Sequence, residues 1–262
     1  MNTIYDILYN VCGLAGAVAV ALLISFLRKK DRLLDRVILI LCYIASIIGF
    51  FIGAHLLFFL EKLPAFSENY GMMIVDLPSF FDAVFNAASG MAFYGGLFGA
   101  SAAVLILCKI RHIYARPYLN VCACSFPLLL AFGRIGCTLF GCCYGIEYHG
   151  IFALTYSADH IVPGKSDHIA DFPHFPVQLL ESLLMFILCF VLVQMYLKFR
   201  DKYPLLSIYF ISYGIIRFFD ELLRSTEAKT FQGPLSTSQW IALISLAITA
   251  GYLITIKKKK MI

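Results

Sequence analysis

Residues 11–60 read VCGLAGAVAV ALLISFLRKK DRLLDRVILI LCYIASIIGF FIGAHLLFFL. Two long apolar runs, 11–27 and 37–60, flank a short connector with five basic residues. Apolar runs of about this length with few charges are typical of transmembrane helices. The first run is followed, not preceded, by its basic cluster, so we interpret it as a retained span and not as a cleaved signal peptide.

The same pattern continues along the 262 residues, which are 61% hydrophobic and 14% charged, with a mean hydropathy of +0.83. A soluble domain would carry about a quarter charged residues. The predicted spans are 11–27, 37–60, 91–108, 119–140, 177–197, 205–223 and 238–256. The sequence therefore predicts an all-α membrane protein whose residues 1–262 form a single seven-span domain.

Basic residues indicate the orientation of these spans. Fifteen of the 21 Lys and Arg residues lie in alternate connectors or in the C-terminal tail. These fifteen are Arg28, Lys29, Lys30, Arg32, Arg36, Lys109, Arg111, Arg116, Lys198, Arg200, Lys202 and the lysines at 257–260. Because cytoplasmic connectors are enriched in Lys and Arg, we predict that the N-terminus is outside and the C-terminus inside. The net charge of +5 follows from this bias, so it gives no reason to expect a nucleic-acid partner, and we expect none.

The connector at 144–176 is predicted to lie on the opposite, extracytoplasmic side. Its length favours an ordered flap over a simple turn. It contains His149, His160, His168 and His174, whose gaps follow no helical or metal-site period. We therefore expect these histidines to be exposed loop residues.

Polar residues interrupt five of the apolar runs at a similar depth. Arg134, Glu181 and Arg217 fall in the outer halves of spans four, five and six. His55 and Tyr94 fall near the outer ends of spans two and three. Ionisable residues within a membrane are costly, so this layer is our hypothesis for the functional site.

The spacing in span six places Tyr213, Arg217 and Glu221 on one helical face, four residues apart. An ion pair between Arg217 and Glu221 is the structural alternative to a functional role. Arg134 has no carboxylate within a turn, which favours an anionic ligand. Guanidiniums bind phosphate oxygens in pairs, and the phosphate available at this depth is that of a lipid headgroup.

Glycines flank these polar residues on two spans, with Gly95 and Gly96 in span three and Gly133 and Gly136 in span four. Glycine permits a close approach either of another helix or of a ligand, and the sequence leaves both open.

Five short motifs occur in order along the chain. They are GAH at 53–55, SGMAFYGGL at 89–97, GRIG at 133–136 with Gly141 and Gly145, Pro176 with QLLE at 178–181, and Tyr213-Gly214 with Arg217-Phe218 and Glu221. Together they resemble the motifs of the bacterial prolipoprotein diacylglyceryl transferase family.

The resemblance implies a multi-pass enzyme of the bacterial plasma (inner) membrane, with its active site toward the outer leaflet. Such an enzyme moves the diacylglyceryl group of phosphatidylglycerol to the lipobox cysteine of a secreted preprolipoprotein. A thioether forms and glycerol phosphate leaves. The implied partners are phosphatidylglycerol, a signal peptide with a lipobox cysteine, and membrane lipids. Neither a cofactor nor a metal is implied.

The resemblance also implies roles for individual residues. Arg134 and Arg217 would hold the phosphate and stabilise charge on the leaving group. Glu221 would orient Arg217, and Tyr94 would donate a hydrogen bond. The implied substrate-binding residues are Tyr213, Glu181, Gln178, Gly95, Gly96, Cys137, Cys142 and His55.

Three positions depart from the family pattern, with Tyr94, Cys137 and Cys142 where the family has His, Asn and Glu. These changes motivate an alternative function as a paralogous lipid transferase with another acceptor or donor. In a third reading, Cys137, Cys142 and Cys143, with His149, bind a metal or form a disulfide. Their spacing matches no standard zinc pattern, so we expect no metal, and it favours a Cys137–Cys142 disulfide within this reading.

Overall fold

The computed structural model describes residues 3–31, 34–70, 92–156, 172–225, 231–232 and 234–259. Over these residues the chain forms helices α1 (Thr3–Lys30), α2 (Arg36–Tyr70), α3 (Phe93–Ile110), α4 (Arg116–Phe140), α5 (Val177–Phe199), α6 (Leu205–Leu223) and α7 (Thr237–Lys259). Two short strands, β1 (Phe231–Gln232) and β2 (Leu235–Ser236), pair in an antiparallel hairpin between α6 and α7. Two of the connector histidines, His160 and His168, and residues 89–91 of the second motif lie outside the described residues.

Six of the described helices are long and apolar enough to cross a membrane, namely all except α6. Helix α6 differs because it carries Arg217, Asp220 and Glu221 within its 19 residues. The prediction of an all-α, multi-pass membrane protein is confirmed at this level. Two helices are longer than their apolar runs, since α1 begins at Thr3 and α2 continues to Tyr70. Helical hydrogen bonds are internal to the segment, so a helix does not have to end where its apolar stretch ends.

Large apolar side chains cover the outside of several helices. On α1, Ile4 is 69% exposed, and Leu14 and Leu22 are each 67% exposed. A soluble protein rarely exposes a contiguous apolar surface of this kind. In a bilayer, these side chains contact lipid tails.

The chain divides into two compact units, residues 31–119 and residues 1–30 with 120–262. In the first unit, α2 and α3 pack along Gly49, Gly53, Gly95 and Gly99. A Cβ atom on any of the four would meet a backbone carbonyl of the facing helix. Small residues four apart allow this approach in membrane helices. Asp35 precedes α2 and accepts a hydrogen bond from the Ile38 amide (2.9 Å), which caps the helix.

In the second unit, α4 and α5 are joined by polar contacts between their backbones and small side chains. The Ser182 hydroxyl donates to the Ala131 carbonyl (2.9 Å), and the Cys189 thiol donates to the Cys124 carbonyl (3.3 Å). Phe132 and Phe186 form an edge-on ring contact between the same helices (centroids 5.6 Å apart). Helix α6 packs against both α5 and α7.

The described ends of the 144–176 connector are joined by backbone hydrogen bonds. The Tyr148 amide donates to Pro173 (2.9 Å), and Leu154 and His174 exchange backbone hydrogen bonds (2.8 and 2.9 Å). Ile146 donates to the Leu223 carbonyl at the end of α6 (3.0 Å). The connector is thereby tied to the C-terminal end of α6.

Candidate active site

An acidic side chain of α5 joins basic side chains of α4 and α6. The Oε2 atom of Glu181 lies 2.7 Å from Nε of Arg134 and 3.6 Å from Nη1 of Arg217. The sequence has no carboxylate within a turn of Arg134, which favoured an anionic ligand, but the structure pairs Arg134 with a protein carboxylate. Its carboxylate comes from another helix, 47 positions along the chain, so no local spacing could indicate it.

A second carboxylate continues the arrangement along α6. Oε2 of Glu221 lies 2.7 Å from Nη2 of Arg217 and 3.0 Å from Nη1 of Arg224. The predicted pair of Arg217 and Glu221 is therefore present. We call the five residues Arg134, Glu181, Arg217, Glu221 and Arg224 the ion chain, in which positive and negative groups alternate.

The ion chain is buried, since each of its members is at most 9% exposed. Its formal charge is +1, because three guanidiniums face two carboxylates. Buried charges are costly unless they are paired and hydrogen-bonded, which explains the strict alternation. Asp220, also on α6, is 2% exposed, and its Oδ2 atom makes no hydrogen bond to any described residue.

Other predicted side chains support this region rather than extend it. Tyr213 is 1% exposed and stacks on Tyr209, with ring centroids 5.8 Å apart. Gln178 donates from Nε2 to the Cys142 carbonyl (2.9 Å), so α5 holds the turn that follows α4. The Tyr156 hydroxyl donates to the Thr138 carbonyl (3.1 Å), and burial raises the pKa of Tyr156 to about 12.

The turn after α4 gathers three thiols. The Sγ atoms of Cys137, Cys142 and Cys143 all lie within 4.8 Å of one another. All three are partly exposed, and all nine cysteines of the chain are free thiols, so the Cys137–Cys142 disulfide is absent. The spacing of these cysteines matches no standard zinc pattern, so the sequence did not predict that they cluster. Spacing alone does not show how the turn folds back. His149 is not part of the cluster, since it pairs with Glu147 in an exposed position.

Hydrogen bonds within the cluster shift the pKa values of its thiols in opposite directions. The pKa of the Cys143 thiol is held well below its usual range, first by hydrogen bonds from Cys137 and Cys142, and then by the guanidiniums of Arg224 and Arg134. The pKa of the Cys142 thiol is raised by its hydrogen bonds to the other two. The ion chain and the thiol cluster are thus electrostatically coupled.

One of the described histidines corrects an expectation. His174 is 1% exposed, not an exposed loop residue, and its Nδ1 lies 3.2 Å from the Gly145 carbonyl. Its ring contacts Tyr144 and Phe172. It is buried because the connector folds back on itself, which the irregular histidine spacing could not reveal.

Four predicted site residues belong to the unit of residues 31–119. Gly95 packs against Gly53, Gly96 faces the ring of Phe50, and both are accounted for by helix packing. Tyr94 is 4% exposed and stacks on Phe98. His55, the fourth, is partly exposed on α2.

Nearly the whole chain matches a protein family model. The family model described as prolipoprotein diacylglyceryl transferase matches residues 4–255. The chain belongs to this family. The prediction made from its motifs is confirmed.

Curated relatives carry the same family name. One from Clostridium tetani, a phosphatidylglycerol–prolipoprotein diacylglyceryl transferase, is 28% identical over 243 residues, covering 91% of this chain and 90% of the relative. A relative from Clostridium perfringens, named transferase 2, is 27% identical over 219 residues, covering 83% and 76%. One from Campylobacter hominis is 30% identical over 243 residues, covering 88% and 80%. These names match the predicted reaction.

Sequence reasoning about this transferase family member missed Arg224. The predicted span ends at residue 223, as α6 does, and Arg224 lies just outside it. A usable signal was present, because Arg224 is a basic residue three positions after Glu221 and directly follows α6.

Proposed function

We propose that this chain transfers the diacylglyceryl group of phosphatidylglycerol to the lipobox cysteine thiol of a preprolipoprotein. A thioether forms and glycerol phosphate is released. The observation that carries the proposal is the ion chain, in which guanidiniums from α4 and α6 are held by one carboxylate from α5. The names of the relatives support the same reaction.

The charge of the ion chain suits the donor lipid. Its five members sum to +1, and the phosphodiester of phosphatidylglycerol carries one negative charge. When the diacylglyceryl carbon leaves the phosphate oxygen, the departing glycerol phosphate gains a second negative charge. Arg134 and Arg217 would stabilise that charge, which is the differential binding that lowers a barrier. Glu181 and Glu221 would hold both guanidiniums in position.

The remaining roles follow the resemblance. Tyr94 would donate a hydrogen bond, and Tyr213 would offer its hydroxyl to the substrate. Gln178, Cys137 and Cys142 would line the acceptor side. His55, Gly95 and Gly96 complete the proposed set.

We further propose a topology of seven spans in a bacterial inner membrane, in which α6 crosses the membrane together with the other six helices. The N-terminus would be outside, the C-terminus inside, and the active site toward the outer leaflet. The whole chain would form one domain, with 144–176 as its extracytoplasmic connector. Basic connectors support this orientation. A fluorescent protein fused after residue 262, which folds only in the cytoplasm, should fluoresce, and a dark fusion would contradict the orientation.

The function is tested with purified protein, phosphatidylglycerol labelled in its diacylglyceryl group, and a lipobox peptide. We expect label on the peptide and release of glycerol phosphate. Arg134→Ala and Arg217→Ala should each lower transfer about 100- to 1000-fold. Arg111→Ala, at an exposed position after α3, is the matched control and should leave transfer unchanged. Normal transfer in either site variant would contradict the proposed roles.

A second candidate function is a related lipid transferase with another acceptor or donor. Cys137 and Cys142, together with Tyr94, favour it because these positions depart from the family pattern. Complementation of a strain depleted of its own lipoprotein transferase separates the two functions. Rescue would support the first candidate, and a folded, lipid-binding protein that fails to rescue would support the second.

A further inference from the structure

The cluster of Cys137, Cys142 and Cys143 is built by the way α4 ends. Gly141 follows the helix with a φ of 76°, in the left-handed region where glycine is favoured. Its amide donates to Thr138 (3.3 Å), and the Cys142 amide donates to Cys137 (3.1 Å). These two bonds form a Schellman motif, which turns the chain back over the last helical turn. Cys142 is thereby brought next to Cys137.

The next residue completes the cluster at a conformational cost. Cys143 has a φ of 61°, which is uncommon for a residue with a Cβ. Unfavourable backbone conformations persist where the surrounding structure imposes them, often at functional sites. Here the conformation brings a third Sγ to the other two. Gln178 holds the same turn through the Cys142 carbonyl.

The size and chemistry of the cluster fit a thiophilic metal ion. Zinc binds thiolate sulfur at about 2.3 Å, so tetrahedral ligands stand about 3.8 Å apart. The three Sγ atoms already lie within 4.8 Å of one another, and each of the three cysteine residues is partly exposed. Three thiolates and Zn²⁺ carry a net charge of −1.

We propose that Cys137, Cys142 and Cys143 bind one Zn²⁺ through three thiolates, with the fourth coordination position open to the thiol of the acceptor protein. A zinc site with three protein ligands and an open position is the arrangement of catalytic rather than structural zinc. The first half of this proposal concerns the metal alone. The second half rests on the proposed function.

The acceptor thiol must lose its proton before it can attack, and binding at the fourth zinc position would remove that proton. A thiol that coordinates zinc loses its proton, which passes to water. The thiolate then attacks the diacylglyceryl carbon, the S–C bond forms, and the bond from that carbon to the phosphate oxygen breaks. The electron pair leaves with glycerol phosphate. One negative charge on the thiolate and one on the lipid become two on the released phosphate.

The metal half is tested by the zinc content of protein purified under reducing conditions and loaded with Zn²⁺. We expect about one zinc per chain, with Zn–S distances of about 2.3 Å in X-ray absorption. Cys137→Ser, Cys142→Ser and Cys143→Ser should each weaken zinc binding more than about tenfold. Cys122→Ser is the matched control, since Cys122 is also partly exposed on α4 but outside the cluster, and should retain the zinc.

Two results would overturn the metal site. One is a zinc measurement in which the wild-type protein binds no zinc, or in which all three serine variants bind as much zinc as the wild type. The other is a Cys137–Cys142 or Cys142–Cys143 disulfide, detected by mass after alkylation of protein kept without reductant, that persists in the presence of Zn²⁺. The X-ray absorption measurement uses the wild-type chain, so it decides the question even if a variant fails to fold.

The open position is tested with protein loaded with Co²⁺, whose absorption bands report thiolate coordination. A lipobox peptide should change these bands, and the same peptide with Ser for Cys should not. An unchanged spectrum with both peptides would refute acceptor binding at the metal. If zinc binds but no diacylglyceryl transfer occurs, the proposed function fails and the metal site stands. If transfer occurs at full rate in zinc-free Cys142→Ser, the role of zinc fails and the proposed function stands.

Discussion

The Oε2 atom of Glu181 lies 2.7 Å from Nε of Arg134, which joins α5 to α4 at the start of the ion chain. The same oxygen lies 3.6 Å from Nη1 of Arg217. One buried carboxylate oxygen therefore fixes the positions of two guanidiniums on different helices. If Arg134 and Arg217 bind a phosphate, Glu181 sets the distance between their guanidiniums. We therefore regard Glu181 as a positioning residue.

Glu181→Gln should lower both stability and transfer. The substitution keeps the shape but leaves two buried guanidiniums without their shared charge partner. Breaking a buried ion pair costs about 3–5 kcal/mol. At about 2–4 °C per kcal/mol, the midpoint of thermal unfolding in detergent should fall by at least about 6 °C. Transfer should also fall when it is measured well below that midpoint.

The control for this substitution is Glu147→Gln. Glu147 also pairs with a cationic group, the ring of His149 when protonated, but the two side chains are 58% and 70% exposed. Exposed ion pairs contribute about 0–1 kcal/mol, so the unfolding midpoint should move little. Equal midpoints for Glu181→Gln and wild type would refute the role of Glu181 in the ion chain.

Arg217→Lys should lower transfer at least about tenfold although the positive charge is kept. Arg217 uses Nη1 toward Glu181 and Nη2 toward Glu221, and a single ammonium cannot reproduce this fork. Arg111→Lys, at an exposed position, should be neutral. The transfer assay with labelled phosphatidylglycerol measures both. A fully active Arg217→Lys would mean that only the charge matters at this position.

The sequence predicted features that depend on neighbouring residues. Apolar runs predicted where the helices lie, and the four-residue spacing predicted the Arg217–Glu221 pair. The partner of Arg134 could not be predicted, because Glu181 approaches it only when α4 and α5 pack. The predicted end of α6 at residue 223 agrees with the structure, and Arg224 lies just beyond it, so a search limited to the spans did not include the last member of the ion chain.

The thiol cluster and His174 illustrate the same limit. Two cysteines five positions apart come together only because Gly141 adopts a left-handed conformation at the end of α4. His174 is buried because the connector folds back on itself. Both features depend on turns, whose geometry is set by a few backbone angles and leaves little trace in residue spacing.

Gly99→Ala should destabilise the packing of α2 against α3. A Cβ at this position would meet the backbone carbonyl of Gly49, which cannot move aside as a flexible side chain does. Overpacking of this kind typically costs about 1–3 kcal/mol. Gly13→Ala is the control, because nothing lies within 4 Å of a Cβ built there. Thermal unfolding of both variants checks the prediction, which requires a lower midpoint for Gly99→Ala alone.

Asn120→Leu should destabilise the turn between α5 and α6. The Asn120 side chain is buried, donates from Nδ2 to the Tyr203 carbonyl (3.0 Å), and accepts at Oδ1 from the Leu205 amide (2.9 Å). Leucine has a similar volume but removes both bonds and leaves the Leu205 amide and the Tyr203 carbonyl with only their mutual hydrogen bond (3.0 Å). Each lost hydrogen bond costs about 0.5–1.5 kcal/mol, so the loss should be about 1–3 kcal/mol.

Two further variants separate the hydrogen bonds of Asn120 from its volume. Asn10→Leu is the matched control, because Asn10 also donates to a backbone carbonyl, that of Asp6 (2.9 Å), but in an exposed position. Its unfolding midpoint should stay within about 2 °C of wild type, since substitutions at such surface positions cost at most about 0.5 kcal/mol. Asn120→Ala removes the side-chain volume together with both bonds and should lower the midpoint at least as far as Asn120→Leu. If Asn120→Leu unfolds at the wild-type temperature, the contacts of Asn120 do not stabilise the turn that precedes α6.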